Sequence, residues 1–419
     1  MNSRERVQAA IRHQEPDRVP LDLGGSSVTG IWVGTYARLR QALGLPHRPP
    51  RLIDPYLMLG EVEDEVRELL GIDTAPLRLP RTRFGFRNEN WKPWRLFDGT
   101  EVLVPGGFNP SVDVNGDLLL YPHGDTSLAP SARMPKGGYY FDAIVRQEPI
   151  DEDHLDPDEW VQGMFSVYGE QDLRYFEEES ERLYRNTEYS IMLNFGGGAF
   201  GDISHVPAVG LPNPKGIRDA LEWYVAHVTH PEYIKGIFAR QCDVAMQNLE
   251  MLRQAVGDRI DVIYVSGTDF GAQDNCFISP DMYREIYKPF HRRINDWIHA
   301  HTPWKIFYHT CGAVFDLIPD LIDAGVDILN PIQTSARGMD PVALKRTFGD
   351  RLVFWGGGVD TQHVLPFGTP EEVYAQAQER IRIFSPGGGF VFNPVHNVQQ
   401  NVPAENLLAM FRAVRESQD

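Results

Sequence analysis

Short, unbroken apolar runs separated by longer amphipathic stretches recur along most of the chain. The segments VDILNPIQ at 326–333 and RLVFWGGG at 351–358 place apolar residues side by side and do not alternate them with polar ones. Such runs are typical of parallel strands that are buried on both faces of a sheet. The pattern predicts eight strands, at 18–24, 71–77, 189–196, 261–269, 304–312, 326–333, 351–358 and 388–397.

Helix-start signals follow several of these predicted strands. Ser279-Pro280-Asp281 and Thr369-Pro370-Glu371 each place a capping hydroxyl before a proline at the first helical position, and Pro403 opens a C-terminal helix. A break is expected at Pro289, because proline lacks the backbone N–H that continues a helix. Further helices are predicted near 59–70, 214–256 and 313–324.

The eightfold alternation of strands and helices predicts an α/β fold, a closed (β/α)8 barrel of the TIM type, as a single domain over 1–419. A doubly wound open sheet is the alternative architecture. Residues 84–142 interrupt the alternation with clustered aromatic residues and glycines, and Asn115-Gly116 between apolar residues predicts a hairpin with a type I′ turn. We therefore predict a small β-rich insertion over one mouth of the barrel. Its aromatic residues serve either ordinary packing or a binding surface.

The composition indicates a folded chain with an acidic surface. Asp and Glu number 58 against 40 Lys and Arg, so the formal net charge is −18 over 419 residues. Such a charge repels phosphate backbones and anionic lipid, so nucleic acid and membranes are not expected as partners. No apolar run is long enough for a transmembrane helix. Three cysteines are too few for a disulfide framework, and a cytoplasmic location is expected.

The predicted strand at 304–312 carries the clearest metal-binding signal. Its sequence WKIFYHTCG contains His309 and Cys311, which lie two residues apart and therefore project to one side of an extended strand. Imidazole nitrogen and thiolate sulfur are good zinc ligands. Active sites of (β/α)8 barrels lie at the carboxyl ends of the strands, so a metal site is a hypothesis for this position. The alternative is a small buried thiol beside a hydrogen-bonded histidine.

Polar side chains also gather at other predicted strand ends. Asp269 ends the strand at 261–269 and is a candidate general base, metal ligand or substrate acceptor, with Cys276 in the same loop as a reserve ligand. His396 lies in a dense polar cluster after the last predicted strand. We expect the polar side chains at these ends to face one cavity. The substrate-binding candidates are Gln273, Tyr308, Asn330, Gln333 and Asn393.

Two glycine-rich segments do not have the pattern of a nucleotide-binding loop. FGGGAFGD at 195–202 lacks the Lys-Ser/Thr pair that holds phosphate and magnesium, and GGG at 356–358 is not G-x-G-x-x-G. Both are predicted to be tight turns between a strand and a helix.

Three long motifs resemble those of the uroporphyrinogen decarboxylase superfamily. GGGFVFNPVHNVQQNVPAENLL, with Asn393 and His396 at a strand end and Asn406 in the following helix, resembles the closing motif of that family. RERVQAAIRHQEPDRVPLDL at the start and GTDFGAQDNCFISPDMYREIYKPFHRRI after residue 266 are also similar to it. The resemblance implies a (β/α)8 barrel, which agrees with the count of strands.

Within the superfamily, the chain resembles the corrinoid-linked zinc methyltransferases more than the true decarboxylases. The decarboxylases carry an R-Q-A-G-R-Y motif soon after the first strand, whereas this chain has LGGSSVTGIWVGTYARLRQ, with Arg38 and Arg40 too late in the segment. The methyltransferases carry a His-x-Cys pair, which His309 and Cys311 match, and a later cysteine. His396 occupies the neighbourhood of that missing cysteine.

The resemblance therefore implies an enzyme in which His309, Cys311 and His396 hold zinc, leaving a fourth position open for substrate. Asp269 and His396 are the catalytic candidates. The methyl group would pass between a small thiol or methyl ether and a corrinoid carried by a partner protein.

Two other hypotheses remain open at this point. The first is a cofactor-free decarboxylase of a small acid or porphyrinogen, which rests on Asn393 and His396 with Asp54 as a candidate acid. The second is a family member without catalytic activity that binds a small ligand or a partner. The sequence leaves the oligomeric state open, with a twofold homodimer as the commonest arrangement.

Overall fold

Strands and helices alternate along the chain in the computed structural model, which describes residues 1–417. The strands are β1 (Leu52–Asp54), β2 (Leu59–Gly60), β3 (Thr74–Leu77), β4 (Lys92–Arg95), β5 (Glu101–Val104), β6 (Ser111–Val112), β7 (Leu118–Leu120), β8 (Ala132–Met134), β9 (Asp142–Ala143), β10 (Ser190–Asn194), β11 (Val262–Ser266), β12 (Lys305–His309), β13 (Ile328–Asn330), β14 (Val353–Trp355) and β15 (Phe390–Val391). The α-helices are α1 (Ser3–Ile11), α2 (Val33–Ala42), α3 (Asp64–Leu70), α4 (Pro157–Val161), α5 (Glu170–Asn186), α6 (Ala220–Thr229), α7 (Pro231–Val256), α8 (Pro280–Met282), α9 (Lys288–His301), α10 (Ile318–Asp323), α11 (Pro341–Phe348), α12 (Val364–Phe367), α13 (Pro370–Phe384) and α14 (Ala404–Glu416). Within residues 1–417, no helix is both long and apolar enough to cross a lipid bilayer.

Seven parallel strands form one sheet that closes on itself. The strands are hydrogen-bonded in the order β3, β10, β11, β12, β13, β14, β15. Residues 20–22 connect the two edges of this sheet: the Asp73 N–H donates to the Leu21 carbonyl at 2.8 Å, and the Phe392 N–H donates to the Pro20 carbonyl at 2.8 Å. This segment therefore serves as the eighth strand position. The predicted (β/α)8 barrel is confirmed, and the open sheet is excluded.

Side chains along the barrel strands alternate between the barrel interior and the surrounding helices. On β12, Phe307 packs in the interior with Trp355 of β14, whereas Tyr308 belongs to the outer core. The Tyr308 hydroxyl donates to Asn295 Oδ1 of α9 at 3.1 Å. The prediction of Tyr308 as a substrate-binding residue is therefore wrong, because its side chain lies between strand and helix and points away from the interior.

The predicted helices differ from the observed ones for local reasons. The segment at 214–256 forms both α6 and α7, because Pro231 starts a new helix and has no N–H to continue the first. The segment at 59–70 is helical only from Asp64, since β2 pairs antiparallel with β1. The expected break at Pro289 falls in the first turn of α9, directly after a π-helical segment at Tyr283–Tyr287.

Six short strands lie in or next to the segment 84–142. β4 pairs with β5, and β6, β7, β8 and β9 form an antiparallel sheet. Their apolar side chains pack around Phe84, Phe108 and Phe141 in a core that also contains Trp32 of the barrel. The hairpin between β6 and β7 is present, but its turn is not type I′: Gly116 has φ +86°, whereas Asn115 is not among the residues with positive φ. A three-residue loop closes it, with the Gly116 N–H donating to the Asp113 carbonyl at 3.0 Å.

Candidate metal centre

His309 and Cys311 converge at the carboxyl end of β12. His309 ends the strand and faces the barrel interior, as Phe307 does, and Cys311 follows two residues later. The Cys311 Sγ lies 3.4 Å from the His309 Nε2. The period of two along an extended chain thus places a thiol and an imidazole nitrogen side by side.

His396 joins this pair from the loop after β15. The ligand atoms of His309, Cys311 and His396 all lie within 4.8 Å of one another. The two imidazole rings are nearly perpendicular, at 73°, with their centroids 5.2 Å apart. Barrel closure produces this meeting, because it brings the end of β15 around to the same mouth as the end of β12.

Asn330 holds the His309 ring in one orientation. The Asn330 Nδ2 donates to the Trp355 carbonyl at 2.8 Å, so its Oδ1 faces the ring and accepts from His309 Nδ1 at 2.6 Å. The proton is therefore on Nδ1, and the Nε2 lone pair points towards Cys311. Histidines that bind metals are commonly oriented in this way by an acceptor on their other nitrogen.

Burial sets the protonation of the two histidines. Burial lowers the pKa of His309 to about 4, with the Asn330 hydrogen bond opposing the shift. Burial also lowers the pKa of His396 to about 4, and the neighbouring His309 adds to this effect. Both rings are therefore neutral near pH 7 and have nitrogen lone pairs to offer to a cation.

Asp269 adjoins the same three side chains. Its Oδ1 accepts from the Cys311 N–H at 2.7 Å and lies 3.6 Å from His309 Nε2. Burial raises the pKa of Asp269, and the hydrogen bond from the Cys311 backbone opposes this rise. Burial and the Asp269 charge raise the pKa of the Cys311 thiol well above its usual range.

This donor set fits a divalent metal ion. It offers two neutral imidazoles, a thiol and a neighbouring carboxylate, and within residues 1–417 Asp269 has no salt bridge to Lys or Arg. A cation in their midst would stabilise the thiolate and the carboxylate, which burial otherwise disfavours. Two nitrogens and one sulfur match the preference of zinc and leave a tetrahedral position for a substrate.

The predicted substrate-binding glutamines lie on the rim of this site. Gln333 Oε1 accepts from the Gly312 N–H at 2.8 Å, and its Nε2 donates to Gln273 Oε1 at 3.1 Å. Gln273 is exposed, and its Nε2 donates to the Ser335 carbonyl at 2.5 Å. These two side chains connect the loops after β11, β12 and β13.

Three other residues that the sequence suggested lie outside the donor set: Asn393, Cys276 and Asp54. Asn393 Nδ2 donates to the Asp22 carbonyl at 2.9 Å, and its buried Oδ1 has no hydrogen-bond partner in the described part of the chain. The Cys276 thiol donates to the Ala313 carbonyl at 3.2 Å, so it is not the reserve metal ligand that was expected. Asp54 Oδ1 accepts from the N–H groups of Tyr56 and Leu57, both at 2.9 Å, as the cap of a turn.

Asp202 is a buried acid near the site that the sequence pattern did not indicate. Its Oδ1 accepts from the Ser204 N–H at 2.9 Å and from the Ser204 hydroxyl at 2.6 Å. Its charge contributes to raising the pKa of Asp269. The sequence signal for Asp202 is its position directly after the glycine run at 195–201. That run by itself predicts only a tight turn.

A cavity of about 190 Å3 adjoins His396. Its apolar wall, which we define as Trp32, Leu57, Leu59 and Tyr140, comes from three parts of the chain: the start of α2, the β1–β2 turn and the end of the insertion. The Tyr140 hydroxyl donates to Gln400 Oε1 at 2.7 Å. The remaining lining residues are His396, Asn397, Val398 and Gln399.

Comparison with known proteins finds similarity over part of the chain. Residues 215–417 match the sequence profile of the family described as Uroporphyrinogen decarboxylase (URO-D). A methylated-thiol–coenzyme M methyltransferase of Methanosarcina mazei is 29% identical over 146 residues, which are 34% of this chain and 35% of that relative. Residues 215–417 of this chain are thus similar to the uroporphyrinogen decarboxylase family.

A solved structure has a similar overall fold. A methyltransferase from Methanosarcina mazei aligns over 99% of both chains with a TM-score of 0.56 and 15% identity. At that identity the similarity supports the fold alone. The aligned part of the curated relative spans about a third of its length, at 35%.

The structure also places three residues that the motif comparison singled out: Asn406, Arg38 and Arg40. Asn406 of the closing motif is buried, and its Nδ2 donates to the Leu365 and Gly368 carbonyls, both at 2.9 Å, so it holds α12 against α14. Arg38 donates to the Gln400 carbonyl at 2.5 Å, and Arg40 forms an ion pair with a glutamate of the α2–α3 region. Neither arginine lines the cavity beside the donor set.

Proposed function

We propose that this chain is a zinc-dependent methyltransferase that moves a methyl group between a small thiol or methyl ether and a corrinoid carried by a partner protein. The observation that carries the proposal is the convergence of His309, Cys311 and His396 within 4.8 Å, beside a cavity. The name of the curated relative, a methylated-thiol–coenzyme M methyltransferase, supports the same class of reaction.

The metal would be held by His309 Nε2, Cys311 Sγ and a ring nitrogen of His396. When bound there, zinc would supply Lewis acidity to the sulfur or oxygen that carries the methyl group. Asn330 keeps the proton on His309 Nδ1, so the Nε2 lone pair stays available. Asp269 fixes the backbone of Cys311 through its Oδ1.

The transfer needs a proton and an electron pair in addition to the methyl group. During demethylation, the bond between the methyl carbon and the sulfur or oxygen breaks, and the bonding pair stays on that heteroatom. The heteroatom would take up a proton from the carboxyl group of Asp269, since burial raises its pKa and favours the protonated form. A reduced corrinoid on the partner protein would supply the electron pair for the new bond to the methyl carbon.

A decarboxylase of a small acid is the second candidate function. It is favoured by the family match over residues 215–417 and by the buried Asn393 Oδ1, which has no partner within the described residues. Release of carbon dioxide from small acids by metal-free protein would support this candidate against methyl transfer.

Metal analysis of matched cysteine variants tests the methyltransferase proposal. We expect about one zinc per chain in the wild type and in Cys276→Ala, and less than about a tenth of that in Cys311→Ala. The Cys276 thiol lies in the neighbouring loop and contacts the Ala313 carbonyl, so it is a suitable control. Methyl transfer to a reduced corrinoid in solution is followed by its absorption spectrum. Equal zinc in wild type and Cys311→Ala would contradict the proposal.

A further inference from the structure

The cavity beside His396 has no charged residue in its lining. Trp32, Leu57, Leu59 and Tyr140 form its apolar wall, and the other lining residues in the described part of the chain include no Lys, Arg, Asp or Glu. A pocket of this kind favours an uncharged ligand, because an ion there would lose its hydration without gaining a partner.

Two aromatic side chains of the wall are held rigidly. The Trp32 Nε1 donates to the Tyr139 carbonyl at 3.2 Å, and its indole meets the Tyr139 ring edge-on at 5.6 Å. The Tyr140 ring is held through its hydroxyl, which donates to Gln400 Oε1 at 2.7 Å. Rigid aromatic surfaces bind a flat apolar group without a large loss of conformational entropy.

The volume limits how much of a ligand the cavity can enclose. At about 190 Å3, the cavity is smaller than pockets for drug-sized ligands, which measure roughly 300–1,000 Å3. Such a space suits a body the size of one six-membered ring. His396, a member of the donor set, forms part of the same lining, so a ligand in the cavity lies next to the proposed metal position.

We propose that the methyl donor of this chain is an uncharged methyl ether or methyl thioether whose apolar, ring-sized body occupies this cavity. This inference rests on the proposed methyltransferase function and adds the class of substrate. The methyl-bearing oxygen or sulfur would face His396, and the body would contact Trp32, Leu57, Leu59 and Tyr140. A donor that carries a sulfonate, such as methylated coenzyme M, would find no cation in this lining.

Binding measurements with the full chain test the substrate class directly. Methoxybenzene and methyl phenyl sulfide are the neutral probes, and 2-(methylthio)ethanesulfonate is the anionic one, each titrated calorimetrically. We expect saturable binding of both neutral probes and binding of the sulfonate weaker by at least about tenfold. Tighter binding of the sulfonate than of the neutral probes would overturn the inference.

A cavity-filling variant tests whether the ligand binds in the cavity beside His396. Leu57→Trp should weaken methoxybenzene binding by at least about tenfold, since the indole occupies the space of the ring. Leu69→Trp is the matched control, because Leu69 lies on α3 with 46% of its surface exposed and does not line the cavity. Leu57→Arg should reverse the preference towards the sulfonate. Unchanged binding by a folded Leu57→Trp or Leu57→Arg protein would overturn the inference, and circular dichroism checks the fold.

Metal-free protein separates this inference from the proposed function. Cys311 does not line the cavity, so Cys311→Ala should bind methoxybenzene within about threefold of wild type even without zinc. Binding of the neutral probes without methyl transfer from any donor would refute the proposed function and support the substrate pocket. Methyl transfer from the sulfonate probe, without binding of the neutral ones, would support the function and refute the pocket.

Discussion

The two sides of the candidate site differ in how the chain builds them. His309 and Cys311 lie at the end of β12 and His396 in the loop after β15, whereas the apolar wall of Trp32, Leu57, Leu59 and Tyr140 comes from outside the barrel strands. On a strand, spacing in the sequence determines the direction of a side chain. In loops it does not, and the wall depends on packing between distant segments. The comparison teaches that regular structure places the His309–Cys311 pair, whereas His396 and the apolar wall depend on how distant segments pack.

The largest expected effect follows from removing one of the three proposed metal ligands. His309→Ala removes a ligand and should abolish zinc binding and lower methyl transfer by at least about 10³-fold, which corresponds to about 4 kcal/mol of transition-state stabilisation. Methoxybenzene binding should change by less than about threefold. Elemental analysis, transfer rates and calorimetry measure the three quantities.

A surface histidine provides the control for that experiment. His363, which pairs with Asp360 at 3.0 Å and is 73% exposed in its side chain, is outside the donor set. His363→Ala should keep wild-type zinc content and rate. If His309→Ala lost ring binding together with zinc, the two sides would not be independent.

Asn330 tests whether the donor side needs orientation as well as ligands. Asn330→Ala frees the His309 ring, and zinc affinity should fall by about 10–100-fold, as for other groups that orient metal-bound histidines. Asn330→Asp still accepts from Nδ1 and should recover most of the affinity.

Stability is a second measurement on Asn330→Ala and Asn330→Asp. A purely structural role of Asn330 would change stability and zinc affinity alike in the two variants. Both remove the donor to the Trp355 carbonyl, so both should lose about 1–3 kcal/mol of unfolding free energy. Chelator competition measures affinity, and chemical denaturation measures stability. Equal zinc affinity in Asn330→Ala and Asn330→Asp would argue against the orienting role.

Leu59→Ala changes the apolar wall and leaves the metal ligands unchanged. Leu59→Ala enlarges the cavity and should cost about 2–3 kcal/mol of unfolding free energy, because Leu59 is 4% exposed. Zinc content should stay at the wild-type level, since no donor atom is changed. Denaturant titration and elemental analysis check the two halves of this prediction, and a loss of zinc would contradict it.

The smallest expected effect concerns Tyr140. Tyr140→Phe keeps the ring in the wall and removes the hydroxyl that donates to Gln400. The expected loss is about 1 kcal/mol of unfolding free energy, with methoxybenzene affinity changed by less than about twofold. A large loss of affinity would mean that the hydroxyl itself contacts the ligand.

The regular parts of the molecule were predictable because their physical rules are periodic. Unbroken apolar runs correctly indicated parallel strands such as β12, β13 and β14, and the spacing of His309 and Cys311 indicated a common direction. The same rule would have excluded Tyr308, which is adjacent to His309 and therefore points to the opposite side.

The irregular parts could not be placed from the pattern. Asp202 was hidden because a glycine run predicts a turn but not which side chain the turn buries. Trp32 and Tyr140 lie more than a hundred residues apart, and only the packing of the insertion brings them to one cavity. The apparent type I′ signal at Asn115-Gly116 failed because Asp113 and Asp117 pair to make a longer loop.

Closure of the barrel through residues 20–22 has a consequence for biosynthesis. The Leu21 segment becomes the eighth strand position only after Phe392 is available, and Asn393 then binds Asp22 across 371 residues of chain. The residues between Leu21 and Phe392 must therefore leave the ribosome before the sheet can close. Until that moment, the outer edge of residues 20–22 and the edge of β14 have free hydrogen-bonding groups, which a neighbouring nascent chain can pair with. Chaperone dependence during synthesis is thus expected to follow from the order of the strands.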